Sequence, residues 1–177
     1  EQGEAKRDEV TESIAHRMGT FLKALQEEKY YKRVLNDENA LVLGTAENAL
    51  KSVKHLIEMI KEEGVYARIA IHYTDPNMRV KYMASQPEII GSTPFIICAR
   101  LKEFAKKVQY ERAKKEVQNV IFMTKNAYEK LSEYMRANLE LKGAFKSDRM
   151  RGVGEIESWE VDESKLLEIF GPKGSNK

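Results

Sequence analysis

A single cysteine, Cys98, stands among 177 residues, so no internal disulfide can form and a reducing interior is expected. The three histidines form no cluster with it at zinc-ligand spacing, which excludes the common zinc modules. Long apolar runs are missing as well. No stretch approaches the ~18 residues of a membrane span, and the opening EQGEAKRDEV lacks the apolar centre of a secretory signal. The expectation is a cytoplasmic segment with no membrane insertion of its own, whether it stands alone or belongs to a larger or membrane-associated protein. An excess of one charge is also lacking. Thirty Lys and Arg face 28 Asp and Glu, and the resulting +2 supplies no broad basic surface of the kind backbone-driven nucleic-acid binding needs. No repeat or low-complexity block is present.

What remains suits one folded domain over residues 1–171, with 172–177 as a loose tail. Val10, Ile14, Met18, Phe21, Leu22 and Leu25 recur every three or four residues, which predicts an amphipathic helix over residues 8–28. Its stripe serves the core, or it acts as a linker or dimer element. Tyr30 to Leu35 and Ala40 to Thr45 read as a hairpin around Asn36, Asp37, Glu38 and Asn39. Ala46 to Glu63 is the clearest helix, stopped by Gly64. Ala67 to Thr74 (ARIAIHYT) and Arg79 to Ile90 read as strands. The basic run Lys102 to Lys115, interspersed with Glu103 and Glu111, reads as a solvated helical face. Val120 to Met123 is a strand, Asn126 to Met135 a helix, and Leu139 to Leu141 and Glu155 to Val161 close a sheet around a loop from Gly143 to Gly154. Ser164 to Phe170 reads as a short final helix. Helices interleaved with strands and hairpins indicate an α+β class, with helices packed on a mixed or antiparallel sheet.

The stretch PEIIGSTPFIICARL, from Pro87 to Leu101, joins a strand end to a helix start. Gly91 suits the turn, Ser92 or Thr93 can cap the helix, and Pro94 fits its first turn. With this stretch, three other places resemble the catalytic domain of class III adenylate and guanylate cyclases: the hairpin KRVLNDENALVLG; the helix Ala46 to Glu63 followed by ARIAIHYT; and NVIFMTKNAYEKL followed by LELKG and ESWEV. The resemblance implies a ferredoxin-like βαββαβ core and an active site formed between two subunits. It also implies two metal ions, Mg or Mn, that assist attack of a ribose 3′ hydroxyl on the α-phosphate of ATP or GTP.

Carried over residue by residue, the resemblance gives Asp37 the second metal-binding position, with Asn36 where a Gly usually stands. A strand bearing the first metal Asp does not precede the first helix of this sequence. Arg33 takes the place of a purine-reading Lys and Glu88 that of a purine-reading Asp. Each keeps its charge sign and changes its geometry. Arg100 matches the transition-state Arg. The catalytic Asn, four residues earlier, is replaced by Ile96, or by Phe95 when counted from Gly91. Neither side chain can donate a hydrogen bond, and loss of such a donor is worth roughly 2.7–4 kcal/mol. Ala70 and Thr74 replace glycines around Ile71 and His72, and His72 reads as structural.

Departures concentrated at functional positions within a fold-wide match give the leading reading: a degenerate cyclase-homology module acting in signalling by dimerising, binding a nucleotide or regulating a partner. An active divergent cyclase, working as one half of a heterodimer or with its first strand lying outside this sequence, is the enzyme alternative. An unrelated α+β protein-interaction domain is the third.

Overall fold

The computed structural model describes residues 2–25, 30–35, 38–75, 93–114, 117–150 and 154–171. These fall into two compact units, Glu1–Val65 and Tyr66–Lys177.

In the first unit, helix α1 (Gln2–Ala24) and helix α2 (Ala46–Glu62) accompany a two-stranded antiparallel ladder of β1 (Tyr30–Leu35) and β2 (Glu38–Val42). The hydroxyl of Thr45 starts α2 by accepting from the Asn48 amide at 3.0 Å, satisfying one of the orphan donors at its N-terminus. Gly64 stops it. With φ +65, Gly64 donates to Lys61 O, and Val65 donates back to Ile60 O at 3.0 Å, the paired bonds of a Schellman motif. α2 is buried on two sides. Leu50, Val53, Ile57 and Ile60 form one stripe, while Ser52 and Met59 lie on another. The second stripe meets α1 in antiparallel fashion: Phe21 stacks on His55 with ring centroids 4.1 Å apart, and Arg17 pairs with Glu62 at 2.8 Å. Met18 and Leu22 of α1 are buried on the matching stripe.

The second unit is built on a four-stranded mixed sheet of order β3-β4-β6-β5, comprising β3 (Arg68–Ile71), β4 (Val120–Thr124), β5 (Leu141–Met150) and β6 (Gly154–Val161). β3 and β4 run parallel, with Arg68 opposite Val120 and Ile71 opposite Met123, and helix α3 (Thr93–Ala113) lies between them in the chain. β4 pairs antiparallel with β6, and β6 with β5. Alternation along each strand assigns the faces. Val120, Phe122, Ala70 and Ile156 pack with Ile97, Leu101, Phe104, Ala105 and Val108 of α3, and Phe104 meets Phe122 edge-on at 5.4 Å. On the other face Ile71, Ile121, Met123 and Val161 are buried, and Trp159 receives the edge of Tyr128 at 5.6 Å. Tyr128 closes the short helix α4 (Lys125–Tyr128); α5 (Glu133–Asn138) and α6 (Glu163–Ile169) follow. Every residue of β4 is buried, which is why it reads as an uninterrupted apolar run rather than an alternating one.

The α+β class and the sheet with packed helices agree with the sequence reading. Several boundaries differ. The first helix ends at Ala24 rather than Glu28, and residues 26–29 lie outside the described set. β2 spans Glu38–Val42, with Leu35 paired to Glu38, so Glu38 and Asn39 belong to a strand and Thr45 is a helix cap. The 126–135 segment is two helices, because the Ser132 hydroxyl caps a new one by accepting from the Met135 amide. Gly143 to Met150, expected as a loop, is strand: backbone pairing of Lys146 with Glu157 and Ser147 with Ile156 extends the ladder despite the polar sequence. Gly143, at φ +51, absorbs an irregularity between Lys142 and Ala144. The expected strand 79–90 and the tail 172–177 lie outside the described residues.

Candidate functional site at the carboxyl ends of the parallel strands

β3 and β4 end side by side, and the residues that leave them form a polar cluster. His72 Nδ1 lies 3.1 Å from Thr124 Oγ1; Thr124 Oγ1 lies 2.5 Å from Asn126 Oδ1; Asn126 Nδ2 donates to Tyr73 O at 2.8 Å. These contacts fix the protons. A main-chain carbonyl can only accept, so the Asn126 amide must present its nitrogen to Tyr73 and its oxygen to Thr124. The single hydroxyl proton of Thr124 then goes to Asn126 Oδ1. His72 Nδ1 must therefore carry the proton that Thr124 Oγ1 accepts, so in the neutral ring Nε2 is unprotonated. Burial, with no charged side chain contributing, pushes the His72 imidazolium down to about 4, so the ring is neutral near pH 7.

The sequence read His72 as structural and gave Thr124 and Asn126 no role. Their legible signal was a Thr-x-Asn spacing where an apolar strand gives way to a helix, a place where such side chains hydrogen-bond locally.

The positions carried over from the cyclase resemblance are not brought together among the described residues. Arg100 is exposed on α3, beside the buried Leu101, and makes no hydrogen bond or ion pair to a described residue. Phe95 and Ile96 are half-buried in the first turn of the same helix. Asp37 and Glu88 lie outside the described residues, as does the side chain of Arg33. Among the described residues no group of three His, Cys, Asp or Glu could hold a metal ion, and no helix is long and apolar enough to cross a membrane.

Other charged groups serve architecture. Arg112, near the end of α3, grips Glu160 of β6 through two parallel bonds of 2.5 and 2.8 Å, which raises the Arg112 guanidinium pKa further. Asp162 caps α6 by accepting from the Lys165 amide at 3.0 Å and from Ser164 Oγ at 2.5 Å, and it pairs with Lys142. The hydrogen bond from Lys142, then that from Ser164, holds its carboxyl below the usual carboxylate range. An open depression of about 410 Å³ between α5 and α6 exposes Tyr134 and Glu140, but its cation, Lys165, is already paired with Glu168 at 2.8 Å. Cys98 is half-buried on α3, and desolvation pushes its thiol up to about 12, which disfavours the thiolate near neutral pH.

No protein-family model, curated protein or solved structure matches this chain.

Proposed function

We propose that the chain is a degenerate class III cyclase-homology module, acting in signalling as a dimerising, nucleotide-binding or regulatory unit with little or no cyclase chemistry. The order and spacing of its motifs support the family reading. So does the succession of a parallel β3-α3-β4 unit and an antiparallel β5–β6 hairpin, which suits the tail of a ferredoxin-like cyclase fold.

The observation that carries the loss of chemistry is the first turn of α3. Where the family places an amide that orients the ribose, this helix presents Phe95 and Ile96, both half-buried and without a polar side-chain atom. An absent transition-state donor lowers the rate about a hundred- to thousandfold. Exposed Arg100 favours a second reading, an active heterodimer half, since its guanidinium is available to a phosphate brought by a partner.

Incubation of concentrated protein with Mn²⁺ and ATP, then GTP, followed by chromatography for the cyclic nucleotide, separates the two. The degenerate module gives no product. Product that disappears in both Asp37→Ala and Arg100→Ala variants would replace this reading with that of a working cyclase.

A further inference from the structure

We infer that the outward stripe of α3 is a self-pairing surface, and that its occupant is the same stripe of a second copy of this chain laid antiparallel on it. The inference deepens the dimerising part of the proposed function by naming a face, and it uses nothing from the cyclase resemblance.

α3 has two sides. Ile97, Leu101, Phe104, Ala105 and Val108 recur at helical spacing and pack on the sheet. Opposite them Glu103, Lys106, Lys107, Tyr110, Glu111 and the following Lys114 recur at the same spacing, every one exposed and none with a hydrogen bond or ion pair to a described residue. Tyr110 lies within this stripe. At 73 % it is the most exposed large apolar side chain among the described residues, and tyrosine is one of the residue types that most often anchor interfaces. Gln109 Nε2 donates to Gln118 O at 2.8 Å, holding the last turns of α3 against the approach to β4, where Val117 is exposed as well.

Charge selects the occupant. In a two-fold contact residue i meets j while j meets i, so antiparallel helices read each other backwards. With the helices crossing level with Val108 and Gln109, Glu103 faces Lys114 of the second copy, Lys106 faces its Glu111, and Lys107 faces the ring of its Tyr110. All three contacts attract, the last as a cation over an aromatic face, and the two-fold makes each of them twice. Other registers do not. Sliding one helix by three residues sets Glu103 on Glu111 and Lys107 on Lys107; sliding it by four sets Lys107 on Lys114; parallel pairing sets each charge on its own copy. A partner of one sign would answer only half of the stripe. Exposed ion pairs add little affinity and fix the register, while burial of Tyr110 holds the contact. The stripe from Glu103 to Lys114 is about 16 Å long, which is small for an interface and suits a weak dimer that fills at high concentration.

Two double variants test the pairing by sedimentation equilibrium in 50 mM NaCl, with circular dichroism to confirm the fold at these exposed positions. Glu103→Lys with Glu111→Lys makes the stripe wholly basic, and Lys106→Glu with Lys114→Glu makes its ion-pairing positions wholly acidic. Each alone sets like charges opposite in both ion pairs and should raise the dimer dissociation constant at least about tenfold. An equimolar mixture of the two should restore a dimer at least as tight as that of the parent chain, and Tyr110→Ala should weaken the parent dimer. A parent dimer that persists in both double variants, or a mixture that stays monomeric, would overturn this face and leave the dimerising reading to another surface. A parent chain that stays monomeric at about 1 mM would remove the face and the dimerising reading together, leaving nucleotide binding as the surviving part of the proposed function.

Discussion

Two polar side chains, Ser52 buried and His72 half-buried, lead to opposite expectations. Ser52 sits fully buried on the stripe of α2 that meets α1, and its hydroxyl has no partner. Burying an unpaired hydroxyl costs about 1–3 kcal/mol, and Ala is the better helix former by a few tenths. Ser52→Ala should therefore stabilise the chain by about 1 kcal/mol, read as a higher urea midpoint by far-ultraviolet circular dichroism; a lower midpoint would mean that the hydroxyl is satisfied. His72 is paired but desolvated. Its folded pKa is depressed from 6.5 to about 4, so the unfolded chain binds the extra proton first. The stabilisation from keeping this ring neutral is complete above about pH 6.5 and is lost as pH falls toward 4, with about 2 kcal/mol gone between pH 7.5 and 5. Trp159, the one tryptophan, lies in the same sheet and reports that unfolding by fluorescence. In His72→Asn, whose amide can still donate to Thr124 but does not titrate, this pH slope should vanish.

At the scale of elements, the joint between β5, β6 and α6 rests on Asp162. Its carboxylate caps α6 and pairs with Lys142 of β5, while the neighbouring Asn119 ties the start of β4 to Glu163 at 3.1 Å and to the Ala67 amide at 2.7 Å. Asp162→Ala loses both cap and ion pair and should cost about 2 kcal/mol; Asp162→Asn keeps a cap acceptor and should cost about half as much. Because its carboxyl is depressed, Asp162 contributes fully above the unfolded pKa near 3.9 and loses that contribution only at lower pH. The acid window of Asp162 thus lies below that of His72. Urea titrations of both variants at pH 7.5, 5 and 3 separate them, and a loss in Asp162→Ala no larger than in Asp162→Asn would remove the cap from this account. Elements whose signal is local were legible in sequence: α2 announced itself by its apolar stripe and Gly64, although its cap Thr45 was read as the end of a strand. β5 did not, since KSDRM carries no alternating apolar face and becomes a strand only by pairing with β6, a non-local fact. The break at Ser132 was hidden because Ala127, Leu131 and Met135 keep helical spacing across it. The relay at His72 was equally non-local, joining residues 52 apart through two parallel strands.

For the whole molecule, charge balance decides which partners the surface favours. Thirty basic and 28 acidic residues give a net +2, so two copies approaching each other meet little mutual repulsion, and a polyanion finds little to hold it. Along α3 the acidic Glu103 and Glu111, both exposed, stand among the basic Arg100, Lys102, Lys106, Lys107 and Arg112, and Arg112 is already paired with Glu160, so the basic charge of this face is partly offset. A partner that binds by neutralising phosphates would show affinity falling steeply as salt rises, with a slope close to the number of phosphates contacted. A dimer held by apolar burial would not, because exposed charges are screened beyond about 10 Å at 0.1 M salt while burial is unaffected. For the dimerising module proposed above, held by apolar burial, sedimentation equilibrium at 50 and 500 mM NaCl should return dissociation constants within a few-fold of each other, and DNA-cellulose should release the chain below 150 mM. A dimer constant that shifts by a hundredfold across this range would assign association to charge pairing. Retention on DNA at 500 mM would put nucleic acid back among the partners and remove the basis on which the chain is read as a dimerising signalling module.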